Sequence, residues 1–289
     1  MIIKCFQKLK AIFMNDNKIL LVSDFVGVGK VALSAMSPIL STMKANISFL
    51  PTAVVSNNFD YGNASIADLT NFMQDSLNVW KELNLEFDTI VTGILMNPKQ
   101  VEIIKEIINY QSKKPLIISD PIMGDHGKLY NGLSMELVRA SQLVALKADI
   151  ILPNLTEFAF ILNEKYPNDS EINHDLIISW LEKARKKGIK SAIITSVKIG
   201  EKYYVYGYED DEIFRVEIEY IPTEVGGAGD IFTSLFVGKY LQEKDLKASV
   251  SYAAKILTNI IKKEYKPTSS KKKIEVRIQN YLQDVYRSL

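Results

Sequence analysis

Apolar and polar residues follow two rhythms along this chain. Short apolar runs at Lys18–Ser23, Ile47–Pro51, Thr89–Thr92, Pro115–Ser119, Asp149–Leu152 and Ser191–Thr195 predict strands. Between them, apolar positions recur every three or four residues. That spacing predicts helices over Val31–Met43, Ala67–Leu83, Pro98–Gln111, Leu133–Lys147 and Ile172–Lys187, with a short one from Thr156. Asn57–Asn63 is rich in turn residues. Lys202–Tyr208 and Glu212–Tyr220 predict a hairpin about Glu209-Asp210-Asp211, and helices are expected to fill the remainder. Apolar strands between amphipathic helices predict an α/β fold with a mostly parallel sheet covered on both faces. No repeat, low-complexity stretch or linker interrupts the pattern, so one domain over 14–289 is expected.

Residues 1–13 combine lysines with apolar residues, but Lys4, Lys8 and Lys10 break the apolar run and no small-residue cleavage site follows. They are expected to be an N-terminal extension that adds little to the fold. A net charge of +1 gives no electrostatic footprint for nucleic acid or an acidic membrane. No apolar run is long enough to span a bilayer. Cys5 as the single cysteine excludes an internal disulfide and, with only His126 and His174, argues against a zinc site. The expected compartment is the cytoplasm.

In a parallel sheet of this kind, ligands bind outside the carboxyl ends of the strands. The polar residues at those ends are Ser23 and Asp24, Thr52, Asp120 with Asp125 close behind, Asn154 with Glu157, and Thr195 with Ser196. Carboxylates and an amide converging on one edge suit a magnesium–nucleotide site. The competing reading is that Asp120 and Asn154 only end strands and cap helices. The most distinctive stretch is Gly226-Gly227-Ala228-Gly229-Asp230, followed by an apolar run at helical spacing. A glycine turn that opens a helix leaves amide N–H groups free to hold an anion. An aspartate there is electrostatically unfavourable unless it has work to do, and general base toward a hydroxyl is the obvious work. A plain helix-capping Asp is the alternative.

Two other glycine motifs mislead. Gly29-Lys30 suggests a phosphate-binding loop, but Asp24 and Val31 stand where that motif needs Gly and Ser or Thr. Gly27-Val28-Gly29-Lys30-Val31-Ala32 fits a dinucleotide fingerprint, yet no acidic residue ends the next strand to hold a ribose. Lys271-Lys272-Lys273 reads as a solvated helix start rather than a nucleic-acid patch.

Taken in order, Ser56-Asn57-Asn58 with Tyr61-Gly62, Asp120-Pro121-Ile122-Met123-Gly124-Asp125, Lys128-Leu129-Tyr130, Pro153-Asn154-Leu155-Thr156-Glu157 and Gly227-Ala228-Gly229-Asp230 resemble the pyridoxal kinase group of the ribokinase-like superfamily. The likeness runs from about Lys18 to about Leu241. It implies a three-layer α/β/α sandwich that uses ATP and magnesium, with potassium as a further candidate, to phosphorylate the 5′-hydroxymethyl group of a B6 vitamer. It further implies Asp230 as base, with the amides of Gly227, Ala228 and Gly229 around the transferring phosphoryl. Asp120, Asn154 and Glu157 would organise magnesium, largely through water. Asp125, Tyr130 and Thr195 would contact ATP phosphates, and Ser23 and Thr52 the polar edge of the pyridine ring. A homodimer is implied as well.

Gly27 and Ile94 stand where many members of that group carry ring-lining aromatics, which puts substrate identity in doubt more than reaction type. Phe25, Phe59 or Tyr61 are candidates for the missing ring face. Ala228 replaces the usual Thr of the turn, where the amide is the working group. Four alternatives differ in class. A hydroxymethylpyrimidine kinase typically has Cys where Asp230 stands, and a longer first loop. A nucleoside or sugar kinase usually shows a Gly-Gly pair near the second strand, absent here. A silent vitamin-binding module would have no need of Asp230, Asn154 and Glu157 together. A B6 kinase, the expected activity, accounts for Asp230, Asn154 and Glu157 together.

Overall fold

The structure is a computed structural model that describes residues 17–130, 133–266 and 273–289. The expected extension at 1–13 lies outside the described residues. In chain order the elements are β1 (Lys18–Val28), α1 (Ala32–Thr42), β2 (Asn46–Asn57), a 3-10 turn at Phe59–Tyr61, β3 (Ile66–Asp68), α2 (Thr70–Glu82), β4 (Thr89–Thr92), α3 (Pro98–Tyr110) and β5 (Leu116–Ser119). A small hairpin of β6 (Gly124–Asp125) and β7 (Lys128–Leu129) precedes α4 (Met135–Lys147), β8 (Ile150–Ile151), α5 (Leu155–Leu162) and α6 (His174–Lys186). Then come β9 (Ser191–Ile199), β10 (Lys202–Glu209), β11 (Glu212–Ile218), β12 (Glu224–Gly226), α7 (Ala228–Glu243), α8 (Leu246–Glu264), β13 (Lys273–Glu275) and α9 (Leu282–Arg287).

Nine strands form one sheet in the order β11-β10-β9-β8-β5-β4-β1-β2-β3. The run from β9 to β2 is parallel, while β3, β10 and β11 add antiparallel edges. Alternate residues of β1 face opposite layers, as the two-residue period of a strand requires. Ile19 and Leu21 pack with Leu33, Met36, Leu235, Phe236 and Val250 of α1, α7 and α8. Leu20 and Val22 pack on the other face with Met73, Leu77, Val101 and Ile104 of α2 and α3. Farther along that face, Ile117, Ile151 and Ile194 meet Phe158, Trp180 and Leu181 of α5 and α6. The α/β/α sandwich expected from the sequence is the fold observed. Helix α7 is apolar nearly all round because α1 and α8 flank it, and Ile231 through Gly238 are all buried.

Several boundaries differ from the sequence reading. The strands expected to stop at Ser23 and Pro51 continue to Val28 and Asn57, still paired beyond the sheet edge (Phe25 with Val54, Val28 with Asn57). A register shift between Ser23 and Phe25 sets Asp24 against two residues of β2, Thr52 and Ala53, so β2 carries a bulge there. The residues expected to start a helix at Ala67 instead form edge strand β3 against Ala53–Val55, and α2 begins at Thr70. The stretch assigned to helices after the hairpin also holds β12 and β13. Lys273, expected in a solvated helix start, begins β13 and pairs with Glu224. Backbone pairing with the glycine-turn segment overrides helix propensity there.

Candidate active site

Five parallel strands, β1, β2, β5, β8 and β9, deliver residues to one edge. Strand β1 brings Ser23 and Asp24, β2 brings Thr52, and β5 ends beside Asp120, whose N–H donates to the Thr92 carbonyl at 2.8 Å. An isolated parallel bridge joins Asn154 to Thr195, and Thr195 N–H donates to the Pro153 carbonyl at 3.0 Å. Ser196 follows with φ of 56°, an unusual conformation for a non-glycine residue.

The glycine turn lies at the same edge. Gly227 is the N-cap of α7 with φ of 77°, and no side chain caps the helix. Ile231 N–H makes the first intrahelical bond, to the Gly227 carbonyl at 3.0 Å, so the amides of Ala228, Gly229 and Asp230 have no acceptor within the helix. Asp230 is therefore not the cap. It stands in the first turn, where the Ala32 N–H faces its carboxylate, and Ala32 itself has φ of 49°. Burial pushes the Asp230 pKa up to about 7, assisted by the charges of Asp120 and Asp24 and opposed by the Ala32 amide.

Thr233, one turn along α7 on the same face, donates its hydroxyl to Asp120 Oδ2 at 2.7 Å. Burial lifts Asp120 to about 6 against that hydrogen bond. Asp24 is 4 % exposed, its Oδ1 accepts the Ser23 hydroxyl at 3.3 Å, and burial lifts it to about 6. Neither Asp24 nor Thr233 received a role from the sequence. Asp24 was visible there as a strand-end carboxylate, and Thr233 as the residue three positions after Asp230.

Asn154 caps α5 in a reciprocal box: its Oδ1 accepts Glu157 N–H at 3.0 Å, and Glu157 Oε2 accepts Asn154 N–H at 2.8 Å. Glu157 Oε1 also accepts Met123 N–H at 3.1 Å, and Asn154 Nδ2 donates to the Gly124 carbonyl at 2.8 Å. Asn154 therefore does the capping that the competing reading assigned it, with Glu157 as its partner, and the pair sits beside Asp120. Burial, and then the Asp120 charge, push Glu157 well above the usual carboxylate range. Replacing Glu157 with Gln puts an N–H₂ against backbone donors. Leaving one buried donor unmet costs about 1–3 kcal/mol, so the melting midpoint should fall by several degrees, readable by calorimetry.

Asp125 and Tyr130 flank this group on the β6–β7 hairpin. Asp125 is exposed, and its Oδ1 accepts the His126 N–H at 2.8 Å. Tyr130 N–H donates to the Met123 carbonyl at 3.0 Å, and burial together with Glu157, Asp125, Asp120 and Asp230 raises its phenol pKa. Ser23 and Thr52 are buried. The Thr52 hydroxyl donates to the Ile94 carbonyl at 3.0 Å, and Gly93 makes room for Ser23, because a Cβ there would lie 2.4 Å from Ser23 Oγ. The candidates for the missing ring face, Phe25, Phe59 and Tyr61, are all exposed, while Ile94, which stands in place of an aromatic, is buried.

The described residues contain no group of three His, Cys, Asp or Glu placed to hold a metal by themselves. Glu157 spends its oxygens on backbone amides. Such a donor set suits a hard cation carried on phosphates and reached through water, not an all-protein cage.

A parallel sheet with a helix-opening glycine turn and a buried carboxylate at its carboxyl edge is the build of an α/β phosphotransferase. The family model described as phosphomethylpyrimidine kinase matches residues 42–275, and the chain belongs to that family. It is similar to a Bacteroides thetaiotaomicron protein assigned as a phosphomethylpyrimidine kinase and solved with pyridoxal, at 33 % identity and a TM-score of 0.86 over 93 % of this chain and 95 % of that one. It is also similar to Arabidopsis thaliana pyridoxal kinase, 26 % identical over 219 residues, which is 70 % of this chain and 68 % of that protein. A Leishmania donovani pyridoxal kinase solved with ADP and pyridoxamine shares the fold, with a TM-score of 0.80, 20 % identity and coverage of 93 % and 96 %. No helix among the described residues is long and apolar enough to cross a membrane.

Proposed function

We propose that this protein transfers the γ-phosphoryl group of ATP to the 5′-hydroxymethyl group of a B6 vitamer. The observation that carries the reading is Asp230 in the first turn of α7, half-buried beside amides that have no backbone acceptor within the helix and lifted to about 7. Asp230 takes the proton of the alcohol as its oxygen attacks the γ-phosphorus in line, ADP leaves, and the proton returns to solvent. The amides of Gly227, Ala228 and Gly229 hold the equatorial oxygens. Asp125, Tyr130 and Thr195 contact the nucleotide phosphates, and Ser23 and Thr52 hold the polar edge of the ring. Asp120 and, through water, Asn154 and Glu157 would hold magnesium, which neutralises phosphate charge when bound. A cytoplasmic homodimer completes the reading, supported by the family alone.

The direct test offers ATP with pyridoxal, pyridoxamine, pyridoxine and hydroxymethylpyrimidine and identifies the 5′-phosphate by mass. Phosphorylation of a B6 vitamer with the highest kcat/KM is expected. Faster turnover of the pyrimidine would transfer the reading to thiamine-precursor salvage.

The pH dependence follows from the base. Asp230 works only ionised, so kcat/KM should fall about tenfold per unit as pH drops below about 7. The Asp24 charge helps raise Asp230, so Asp24→Asn should move that acid limb to lower pH. A limb that stays in place would separate Asp24 from the base.

A further inference from the structure

Glu275 has no part in the reaction described above, yet it joins three segments that are distant in sequence. It ends β13, in register with Gly226, the residue before the glycine turn. Its Oε1 accepts the Lys30 N–H at 2.8 Å, and its Oε2 accepts the Tyr61 hydroxyl. Lys30 is wedged against the turn: a Cβ on Gly227 would lie 2.5 Å from the Lys30 carbonyl oxygen. Two residues later, the Ala32 N–H faces the Asp230 carboxylate. The 59–61 turn is tied to the same loop from its other end, where Asn58 N–H donates to the Val28 carbonyl at 2.8 Å. Tyr61 is 53 % exposed, and Glu275 is its only side-chain hydrogen-bond partner among the described residues.

Surface hydrogen bonds between two mobile side chains contribute little. This case differs, because one donor is a backbone amide and the acceptor is a charged carboxylate on a paired strand, a combination that makes a stronger, more directional bond. We propose that Glu275 is a positioning residue. It holds Lys30 against the glycine turn, so that Ala32 keeps Asp230 oriented, and it pins the 59–61 turn to the same point through Tyr61. The first loop and the 59–61 turn thereby move as one unit over the strand ends. The catalytic half of this proposal rests on Asp230 being the base; the clasp itself does not.

Amide hydrogen exchange on the ligand-free full chain tests the clasp without turnover. Glu275→Ala should speed exchange in both 28–31 and 57–62 by roughly tenfold to a hundredfold. Tyr61→Phe removes only an exposed hydroxyl, and it should speed 57–62 while leaving 28–31 as in the wild type. Kinetics then read the positioning. Glu275→Ala should lower kcat by about tenfold or more with KM for ATP within about twofold, and Glu275→Gln should recover most of kcat because its amide oxygen still accepts from Lys30. Unchanged exchange in both segments with either variant overturns the clasp. Equal losses in kcat and both KM values, not rescued by Gln, overturn the positioning role. If the wild type phosphorylates no B6 vitamer, the functional reading fails, and the exchange data alone decide on Glu275.

Discussion

Asp230→Asn should lower the turnover number by roughly a hundredfold to ten-thousandfold, the span expected when a general base is lost. The substitution is nearly isosteric, and the Asn amide oxygen can still face the Ala32 N–H, so the loop and turn stay in place. The amides of Ala228 and Gly229 are untouched, and KM for ATP should therefore change little. Stability should move the other way. Asp230 has a folded pKa raised above its ordinary value, so its stabilising contribution is greatest at low pH and is lost as pH rises through about 7. Above that pH a neutral Asn removes a half-buried charge that Asp120 and Asp24 repel, and the variant should melt higher than the wild type. A variant that is inactive yet more stable separates chemistry from folding. Near-normal turnover would remove Asp230 from the mechanism.

The sequence reading succeeded where local pattern and tertiary environment agreed. Thr89–Thr92 is buried on both faces and unbroken, so its ends were legible to the residue. The hairpin about Glu209-Asp210-Asp211 was equally plain, with Asp210 at φ of 51° in the turn. Strands β1 and β2 extend past the expected ends because their mutual pairing holds them, where Gly27 and the exposed Phe25 and Val28 of β1 and the polar Ser56-Asn57 of β2 read as loop. Strands β3, β12 and β13 have three residues each, too short for any period to show. The site was legible as a set of strand-end residues, since the parallel sheet dictates where those converge. Its internal wiring was not. Thr233 to Asp120, Ala32 to Asp230 and Lys30 to Glu275 join residues far apart in sequence, and no spacing along the chain encodes them.

Gly227→Ala should be the most damaging single methyl addition in the turn. Gly227 has φ of 77°, a conformation that costs a residue with Cβ about 1–2 kcal/mol. The new Cβ would also lie 2.5 Å from the Lys30 carbonyl oxygen. Both partners are backbone, so no rotamer change relieves the contact, and the turn or the first loop must shift. A shift moves the Ala228 and Gly229 amides away from the phosphoryl group and disturbs the Ala32 contact to Asp230. Misplacement of catalytic groups by about 1 Å costs on the order of a hundredfold. We therefore expect kcat to fall by about a hundredfold or more, KM for ATP to rise, and the melting midpoint to drop by several degrees. Gly229→Ala is the comparison. A Cβ there meets nothing within 4 Å and Gly229 carries no positive φ, so its melting midpoint should match the wild type. Any activity lost in that variant then reports crowding of the phosphate rather than a displaced turn. Gly227→Ala with normal kcat and KM for ATP would show that these amides do not hold the transferring group.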